Sequence, residues 1–198
     1  MGTQYIQIPR KFLEMDKGTK FIDVLVYAAI DYQKDSTTHT SRIGQRTIAE
    51  KYNIPLSKVE DAIKRLKESG YIDYKQIQSP NNPDFVFNEY TFPLMVDGKM
   101  GYLKLKPSLL NQPLKPKERG VLIFLQLIAL PNMNDIVERK IEEIATRLKI
   151  CRQTASKYLK QFVESGQLRK SRYGFYQCQY LDKDIPVKPE TPKPIFIL

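Results

Sequence analysis

The sequence of 198 residues has few of the residue types on which several classes of protein depend. It contains one histidine, His39, and two cysteines, Cys151 and Cys178. A single histidine is too few for a histidine-rich metal site, and any Ser-His or Cys-His catalytic pair would have to use it. Two cysteines without a secretory leader argue against a disulfide-stapled secreted domain and favour the reducing cytoplasm. We expect no metal, no other cofactor and no catalytic residue.

Long apolar runs and the common phosphate-binding motif are also missing. The longest apolar stretch, residues 121–130, is ten residues long and is interrupted by Gln126. A stretch of that length is too short to span a bilayer and predicts a buried helix. No G-x-x-x-x-G-K-[ST] motif is present, so the sequence gives no sign of a P-loop nucleotide site. We therefore expect neither an enzyme nor a membrane partner.

Positive charge is what the sequence has in excess. Lysine and arginine total 32 against 22 aspartates and glutamates, a formal net charge of +10. Residues 1–98 carry 13 charges of each sign, whereas residues 99–198 carry 19 basic and 9 acidic side chains. A basic balance of this size favours a polyanionic partner, nucleic acid before an anionic membrane surface. The whole excess lies in the second half of the chain.

Two stretches of the chain resemble each other at a nearly constant offset, which indicates an internal duplication. Residues 47–54 (TIAEKYNI) align with residues 143–150 (EIATRLKI), 96 positions later, and residues 68–70 (ESG) recur at 164–166. Further upstream the offset is 97, where residues 5–8 (YIQI) align with residues 102–105 (YLKL). A one-residue difference in a loop accounts for the change of offset.

The same order of elements is predicted in each copy. An alternating stretch predicts a strand, and a strongly apolar helix follows over residues 19–32 or 117–130. Two shorter amphipathic helices and a β-hairpin, residues 71–92 or 167–180, complete the copy. This order is typical of a winged helix-turn-helix. The sequence therefore predicts an α+β, mainly helical fold with two tandem winged helix-turn-helix domains, residues 1–97 and 98–181, and a proline-rich tail, residues 182–198.

The helix-turn-helix of each copy can be located from its small and apolar residues. The motif needs a small residue where its helices cross, an apolar anchor after the turn, and a glycine where the second helix ends in a left-handed conformation. These positions are filled by Ala49 and Ala145, by Ile54 and Ile150, and by Gly70 and Gly166. The core-facing residues of the second helix are Val59, Ile63 and Leu66 in one copy and Ala155, Leu159 and Phe162 in the other.

The solvent face of that second helix holds the candidate DNA-binding residues, because its N-terminal end enters the major groove. Arginine and lysine can bind guanine, glutamine can bind adenine, and threonine can contact a thymine methyl group or a phosphate. In the second copy the candidates are Arg152, Gln153, Thr154, Ser156, Lys157 and Lys160. In the first copy they are Ser57, Lys58 and Lys64, beside Glu60 and Asp61, which repel phosphate.

The second hairpin adds further basic candidates, Arg169, Lys170 and Arg172, suited to contact with the DNA backbone. Together with the charge distribution, they predict that the second copy supplies most of the affinity. The first copy then reads a weaker half-site or mediates assembly, for example as a homodimer through domain 1. The tail, with four prolines and an apolar end, is a candidate contact for a protein partner.

Several of these stretches resemble a known group of proteins. Residues 21–72, with 23–30 (DVLVYAAI), 47–51 (TIAEK) and 62–72 (AIKRLKESGYI), look like the winged-helix domains of plasmid and phage replication initiators. Residues 103–121 and 141–168 are similar to the N-terminal domains of primosomal and plasmid initiator proteins. The resemblance implies that the C-terminal winged helix dominates DNA binding and that the N-terminal one serves dimerisation and a second contact.

The function expected from the sequence is sequence-specific binding of double-stranded DNA by a cytoplasmic, non-enzymatic protein. The leading expectation is a replication initiator of a plasmid, phage or other mobile element. A transcriptional regulator with tandem winged helices would use the same contacts on a different target. A winged-helix scaffold that binds protein is the third alternative, which the neutral first half and the tail both permit.

Overall fold

The computed structural model describes residues 5–14, 18–79, 82–93, 101–129, 135–136, 140–171 and 176–178. Over these residues the fold is mixed α/β, and about half of them lie in helices. The predicted boundary between residues 97 and 98 and the tail from residue 182 lie outside the described residues, as does Arg172. No helix in the described part of the chain is long and apolar enough to cross a membrane.

The described residues of the first half form three α-helices and four strands. In chain order they are strand β1 (Ile6–Pro9), a 3-10 turn (Arg10–Glu14), helix α1 (Phe21–Asp31), strand β2 (Ser41–Ile43), helices α2 (Gln45–Lys51) and α3 (Leu56–Glu68), and strands β3 (Asp73–Ser79) and β4 (Asn82–Thr91). Strands β2, β4 and β3 form an antiparallel sheet in that order.

Where the second half is described, it forms three more α-helices and four more strands. They are strand β5 (Tyr102–Leu105), a 3-10 turn (Pro107–Asn111), helix α4 (Pro116–Ile128), strand β6 (Asp135–Ile136), helices α5 (Ile141–Leu148) and α6 (Arg152–Glu164), and strands β7 (Leu168–Lys170) and β8 (Tyr176–Cys178). Strands β6, β8 and β7 form a second antiparallel sheet.

Helices α1 and α4 form the centre of the core. Nearly every side chain of α1 is buried, including two carboxylates, and α4 is buried from Arg119 to Leu127. The Asp23 carboxylate accepts two hydrogen bonds from the Arg65 guanidinium of α3, at 2.9 and 2.6 Å. A buried carboxylate requires such a partner, because an isolated charge in an apolar environment is strongly destabilising. This ion pair fixes α3 against α1.

The two halves share a continuous apolar core. Strand β1 pairs with β5 in a two-stranded antiparallel sheet, and the rings of Phe21 and Phe124 meet edge to face at 5.7 Å. Gly120 lies directly under α1, because a Cβ atom at that position would overlap the backbone carbonyl of Phe21. The helices therefore approach more closely than any other residue at position 120 would allow.

The predicted element types agree with the structure, and the bounds differ by a few residues. The apolar helices predicted over 19–32 and 117–130 occupy residues 21–31 and 116–128. The first hairpin pairs residues 73–79 with 82–91, and the second pairs 168–170 with 176–178. The structure adds two short strands, β2 and β6, that the sequence did not predict, and each extends its hairpin to three strands.

Candidate nucleic-acid interface

The turn between α2 and α3 is held by one backbone hydrogen bond and one unusual backbone conformation. The amide of Ile54 donates to the carbonyl of Ala49 at 2.9 Å, and Asn53 has a positive φ of 47°. Asparagine adopts the left-handed conformation more readily than most residues, which allows a tight turn without glycine. Ala49 and Ile54 are both buried, as their predicted structural roles require.

The turn between α5 and α6 has the same geometry. The amide of Ile150 donates to the carbonyl of Ala145 at 3.0 Å, and Lys149 has a φ of 53°. Helices α3 and α6 both end at a glycine in the left-handed conformation, with φ of 71° at Gly70 and 77° at Gly166, as predicted. Both α3 and α6 are 13 residues long and start directly after their turn.

The outer face of α6 is open to solvent. Arg152, Gln153, Ser156, Lys157 and Lys160 are exposed, while the predicted core residues Ala155, Leu159 and Phe162 are buried. Tyr158 is buried too, which the sequence did not predict, and its ring stacks on Phe162 at 6.0 Å. The exposed side chains share one side of the helix because buried and exposed positions alternate with helical spacing.

Two contacts at the start of α6 involve candidate residues. The Nε atom of Arg152 lies 2.7 Å from a carboxylate oxygen of Glu142 in α5, with both side chains more than half exposed. The half-buried Thr154 places its hydroxyl 3.0 Å from the thiol of Cys151, the N-cap residue. This hydroxyl and the backbone amides of the first helical turn lower the pKa of the Cys151 thiol. The N-terminal end of α6 therefore favours negative charge.

The strand pair β7 and β8 continues the basic surface beyond α6. Arg169 and Lys170 of β7 are exposed, and the Lys170 ammonium lies 5.9 Å from the centre of the Tyr176 ring across the strand pair. A cation over an aromatic face remains free to meet a phosphate on its other side. Within the described residues, neither Arg169 nor Lys157 takes part in an ion pair.

The corresponding face of α3 is also exposed but carries less unpaired positive charge. Ser57, Lys58 and Lys64 point to solvent beside Glu60 and Asp61. In the sheet of β2, β4 and β3, Arg42 and Lys75 both contact the Glu89 carboxylate, at 2.6 and 3.0 Å. Lys67 of α3 pairs with Asp73 of β3 at 2.8 Å. These carboxylates neutralise cations that would otherwise attract a polyanion, which agrees with the charge balance of the sequence.

Four lysines surround a cleft between the two halves, a grouping that the sequence does not predict. The cleft has a volume of about 480 Å³. Its lysine lining comes from the starts of α1 and α4, from α3 and from the turn before α6: Lys20, Lys117, Lys58 and Lys149. Lys20 and Lys117 give no signal in the sequence, because a single lysine at a helix start is common, and only the packing of α1 on α4 brings them together. Of these four residues, the sequence analysis selected only Lys58.

Comparison with protein families finds a match around α2 and α3. Residues 38–73, which contain β2, α2 and α3, match a family described as winged helix-turn-helix DNA-binding. This segment is similar to a winged helix-turn-helix DNA-binding domain. No curated protein shows significant similarity to the chain. The match falls on the half for which the sequence predicts the smaller share of DNA affinity, and it supports a DNA-binding protein.

Proposed function

We propose that the chain is a sequence-specific double-stranded DNA-binding protein with two tandem winged helices, derived by internal duplication. The family match supports the first. For the second, the support is the equal order of elements from β5 to β8, the second three-stranded sheet, and a turn before α6 with the geometry of the turn before α3. We refer to residues 1–97 as the first module and to residues 98–181 as the second module.

The observation that carries the proposal is the exposed basic face of α6. Arg152, Lys157 and Lys160 share it with Gln153 and Ser156, and no acidic residue precedes Glu164 on the helix. Arginine and glutamine on such a face can read guanine and adenine edges, while lysines bind phosphate. We therefore assign most of the DNA affinity to the second module, and a weaker base-reading role to Ser57, Lys58 and Lys64 of α3.

The biological role that we propose is initiation of replication of a plasmid, phage or other mobile element in the cytoplasm. This role rests on the resemblance of residues 21–72, 103–121 and 141–168 to the winged helices of such initiators. A transcriptional regulator would show the same protein–DNA contacts, so the two roles differ only in the location and consequence of the bound site.

Selection of bound sequences from a random duplex library tests DNA binding, and a plasmid-replication assay then tests the role. The full chain should enrich a defined motif at physiological salt. A plasmid that carries this motif and the flanking DNA should replicate only when the chain is supplied. Enrichment without replication, with altered transcription from a promoter next to the site, would replace the initiator by a regulator. No enrichment, and no binding to any duplex even at low salt, would favour the protein-binding scaffold.

A further inference from the structure

Arg119 is a buried cation whose charge has no partner among the described carboxylates. Only 4% of its surface is exposed, and its guanidinium donates to the backbone carbonyls of Tyr52 and Leu110. A guanidinium has five N–H donors, and the one on Nε is buried here and meets no acceptor within the described residues. A buried charge with an unused donor is destabilising unless an anion approaches it. Arg119 is therefore a candidate anion ligand.

Arg119 lines a pocket of about 500 Å³ beside the turn between α2 and α3. The wall of this pocket is formed by residues of that turn and by residues 111–116, which lead into α4. The other charged lining residues are Lys51 and Lys115, and no described lining residue is acidic. Three positive charges therefore surround one opening, which raises the local concentration of anions.

Neither lysine of the pocket pairs with a carboxylate in the described part of the chain. The Lys51 ammonium lies 5.6 Å from the centre of the Tyr52 ring, a contact that leaves its N–H donors able to reach an anion. Lys115 is exposed at the start of α4, where Glu118 accepts from its backbone amide at 2.9 Å rather than from its ammonium. The positive charge of the pocket is therefore not neutralised from within.

Two side-chain amides of the pocket can also donate to a ligand. Asn53 and Asn111 are exposed, and their side chains make no hydrogen bond with any other described residue. Gln112 differs from them, because its amide nitrogen donates to the Ser108 carbonyl and its oxygen accepts from Gln167. The pocket thus combines three cations with two neutral donors.

We infer that this pocket binds the phosphate group of a small phosphomonoester. Such a group carries about 1.5 to 2 negative charges at pH 7 and has three strong acceptor oxygens, which suits three cations and two amides. A carboxylate has one charge and two oxygens, so it would leave more of these donors unused. The volume of about 500 Å³ lies within the range of about 300–1,000 Å³ of small-molecule sites, so an organic group fits beside the phosphate.

The DNA backbone is the other source of the same phosphate chemistry. Duplex phosphates lie on a convex surface, where exposed side chains and helix ends contact them. Arg119 belongs to the wall of a concave pocket and is buried, so a small molecule can approach it more readily than a duplex can. The site therefore adds a ligand to the chain, and it does not depend on the proposed DNA binding.

The experiment is isothermal titration calorimetry of the full chain, without DNA and at low salt, with phenyl phosphate, inorganic phosphate and benzoate. Phenyl phosphate should bind to one site per chain, and benzoate should bind clearly more weakly. Lys51→Gln and Lys115→Gln should each weaken the binding of phenyl phosphate about three- to fivefold, and together about tenfold or more. Lys117→Gln is the matched control, because it removes the same charge from an exposed side chain of α4 that lies outside this pocket.

The Nε–H group of Arg119 gives a second readout, which a general attraction of anions to a basic protein would not change. Its signal in ¹H–¹⁵N NMR spectra is assigned through Arg119→Lys, which keeps the charge and removes the guanidinium. If that variant fails to fold, triple-resonance spectra of the unmodified chain provide the assignment. The signal should shift along the same binding curve that calorimetry gives for phenyl phosphate.

Equal weakening by all three lysine variants, or an unchanged Arg119 signal, would overturn the inference, because anions would then bind only to the general positive surface. If neither phosphate probe binds and Lys51→Gln and Lys115→Gln lose affinity for the selected duplex, the pocket contacts the DNA backbone, and the inference is also overturned. Absence of binding by any probe or duplex would overturn it together with the proposed function. Binding of phenyl phosphate at this site by a chain that binds no duplex would support the inference and refute the proposed function.

Discussion

The guanidinium of Arg119 donates a hydrogen bond to the backbone carbonyl of Tyr52, 67 positions earlier in the chain. A second bond from the same group reaches the carbonyl of Leu110 at 2.5 Å. Arg119 is buried, and burial lowers the pKa of its guanidinium. The residue links the start of α4 to the turn before α3, and so it joins the two halves of the chain at the point where α3 begins.

Replacing Arg119 with alanine should destabilise the whole chain. The change leaves two buried carbonyls without these partners and opens a cavity, which together cost about 2–4 kcal/mol. The free energy of unfolding can be measured with urea and far-UV circular dichroism, since the sequence has no tryptophan. Lys117→Ala is the matched control, because Lys117 is exposed on the same helix. Equal stability of the two variants would show that Arg119 does not hold the modules together.

Gly120→Ala tests the close approach of α1 to α4. The added methyl group would overlap the Phe21 carbonyl, a backbone atom that can move only with its helix, so we expect a loss of about 1–3 kcal/mol or more. Gly101→Ala is the control, because its Cβ would lie 3.3 Å from the flexible side chain of Arg10. Its stability should stay within about 0.5 kcal/mol of the unmodified chain. A neutral Gly120→Ala would contradict the packing described.

The sequence was sufficient for the local structure but not for the junction between modules. Ala49, Ile54 and Gly70 could be located because a helix-turn-helix requires particular residue types at fixed spacing. The pairing of β1 with β5 could not be predicted, since it joins residues about 97 positions apart and each strand alone is compatible with many partners. Arg119 gave no signal either. An arginine in the first turn of an amphipathic helix is ordinarily solvated, and only tertiary packing buries it.

At the candidate interface the sequence predicts the exposed face of α6, but it does not predict the contact of Arg152 with Glu142. Helical periodicity predicts that the charged residues of α6 share its exposed side, and it also identifies the buried side. Glu142 lies in the first turn of α5, where an acidic residue suits the helix dipole, so the sequence alone indicates no further contact for it. Its contact with Arg152 depends on the angle between α5 and α6, which the pattern of residues does not specify.

Neutralising Glu142 should strengthen DNA binding. The carboxylate holds the Arg152 guanidinium at 2.7 Å and repels phosphate near the start of α6. An exposed ion pair is worth roughly 0.2–1 kcal/mol, so Glu142→Gln should raise the affinity for the selected duplex by a factor of about 1.4 to 5 at low salt. Glu164→Gln is the control at the other end of the helix, where the carboxylate lies 3.8 Å from Lys160. Weaker binding by Glu142→Gln would mean that the carboxylate orients Arg152 productively.

The thiol of Cys151 should report DNA binding directly. It is exposed and its pKa is lowered, whereas Cys178 is buried, so iodoacetamide should modify Cys151 first and at a lower pH than an ordinary thiol, whose pKa is about 8.5. As the pH falls from 9 to 7, Cys151 should keep more of its thiolate, and hence more of its reactivity, than that ordinary thiol. A bound duplex should slow the reaction at least fivefold. Mass spectrometry of the alkylated protein gives both rates, and unchanged reactivity in the complex would remove the start of α6 from the interface.

Arg152→Ala separates base reading from phosphate binding. If Arg152 binds guanine, its loss should cost about 1–3 kcal/mol on the selected site and relax the preference at one base pair. Competition with duplexes mutated at each position measures that preference. Equal losses on specific and random DNA would instead identify Arg152 as a phosphate contact.

The salt dependence of DNA binding measures how much of the DNA affinity comes from α6. Affinity for the selected duplex is measured from low to physiological salt for the unmodified chain, for Arg152→Ala with Lys157→Ala, and for Lys58→Ala with Lys64→Ala. If both residues of the α6 pair contact phosphate, the slope of log affinity against log salt should fall in magnitude by about 1.8, and if Arg152 binds a base instead, by about half of that. We predict a clearly larger loss of affinity for the α6 pair than for the α3 pair. If the affinity and the slope were unchanged in a folded α6 variant, Arg152 and Lys157 would not contribute to DNA binding.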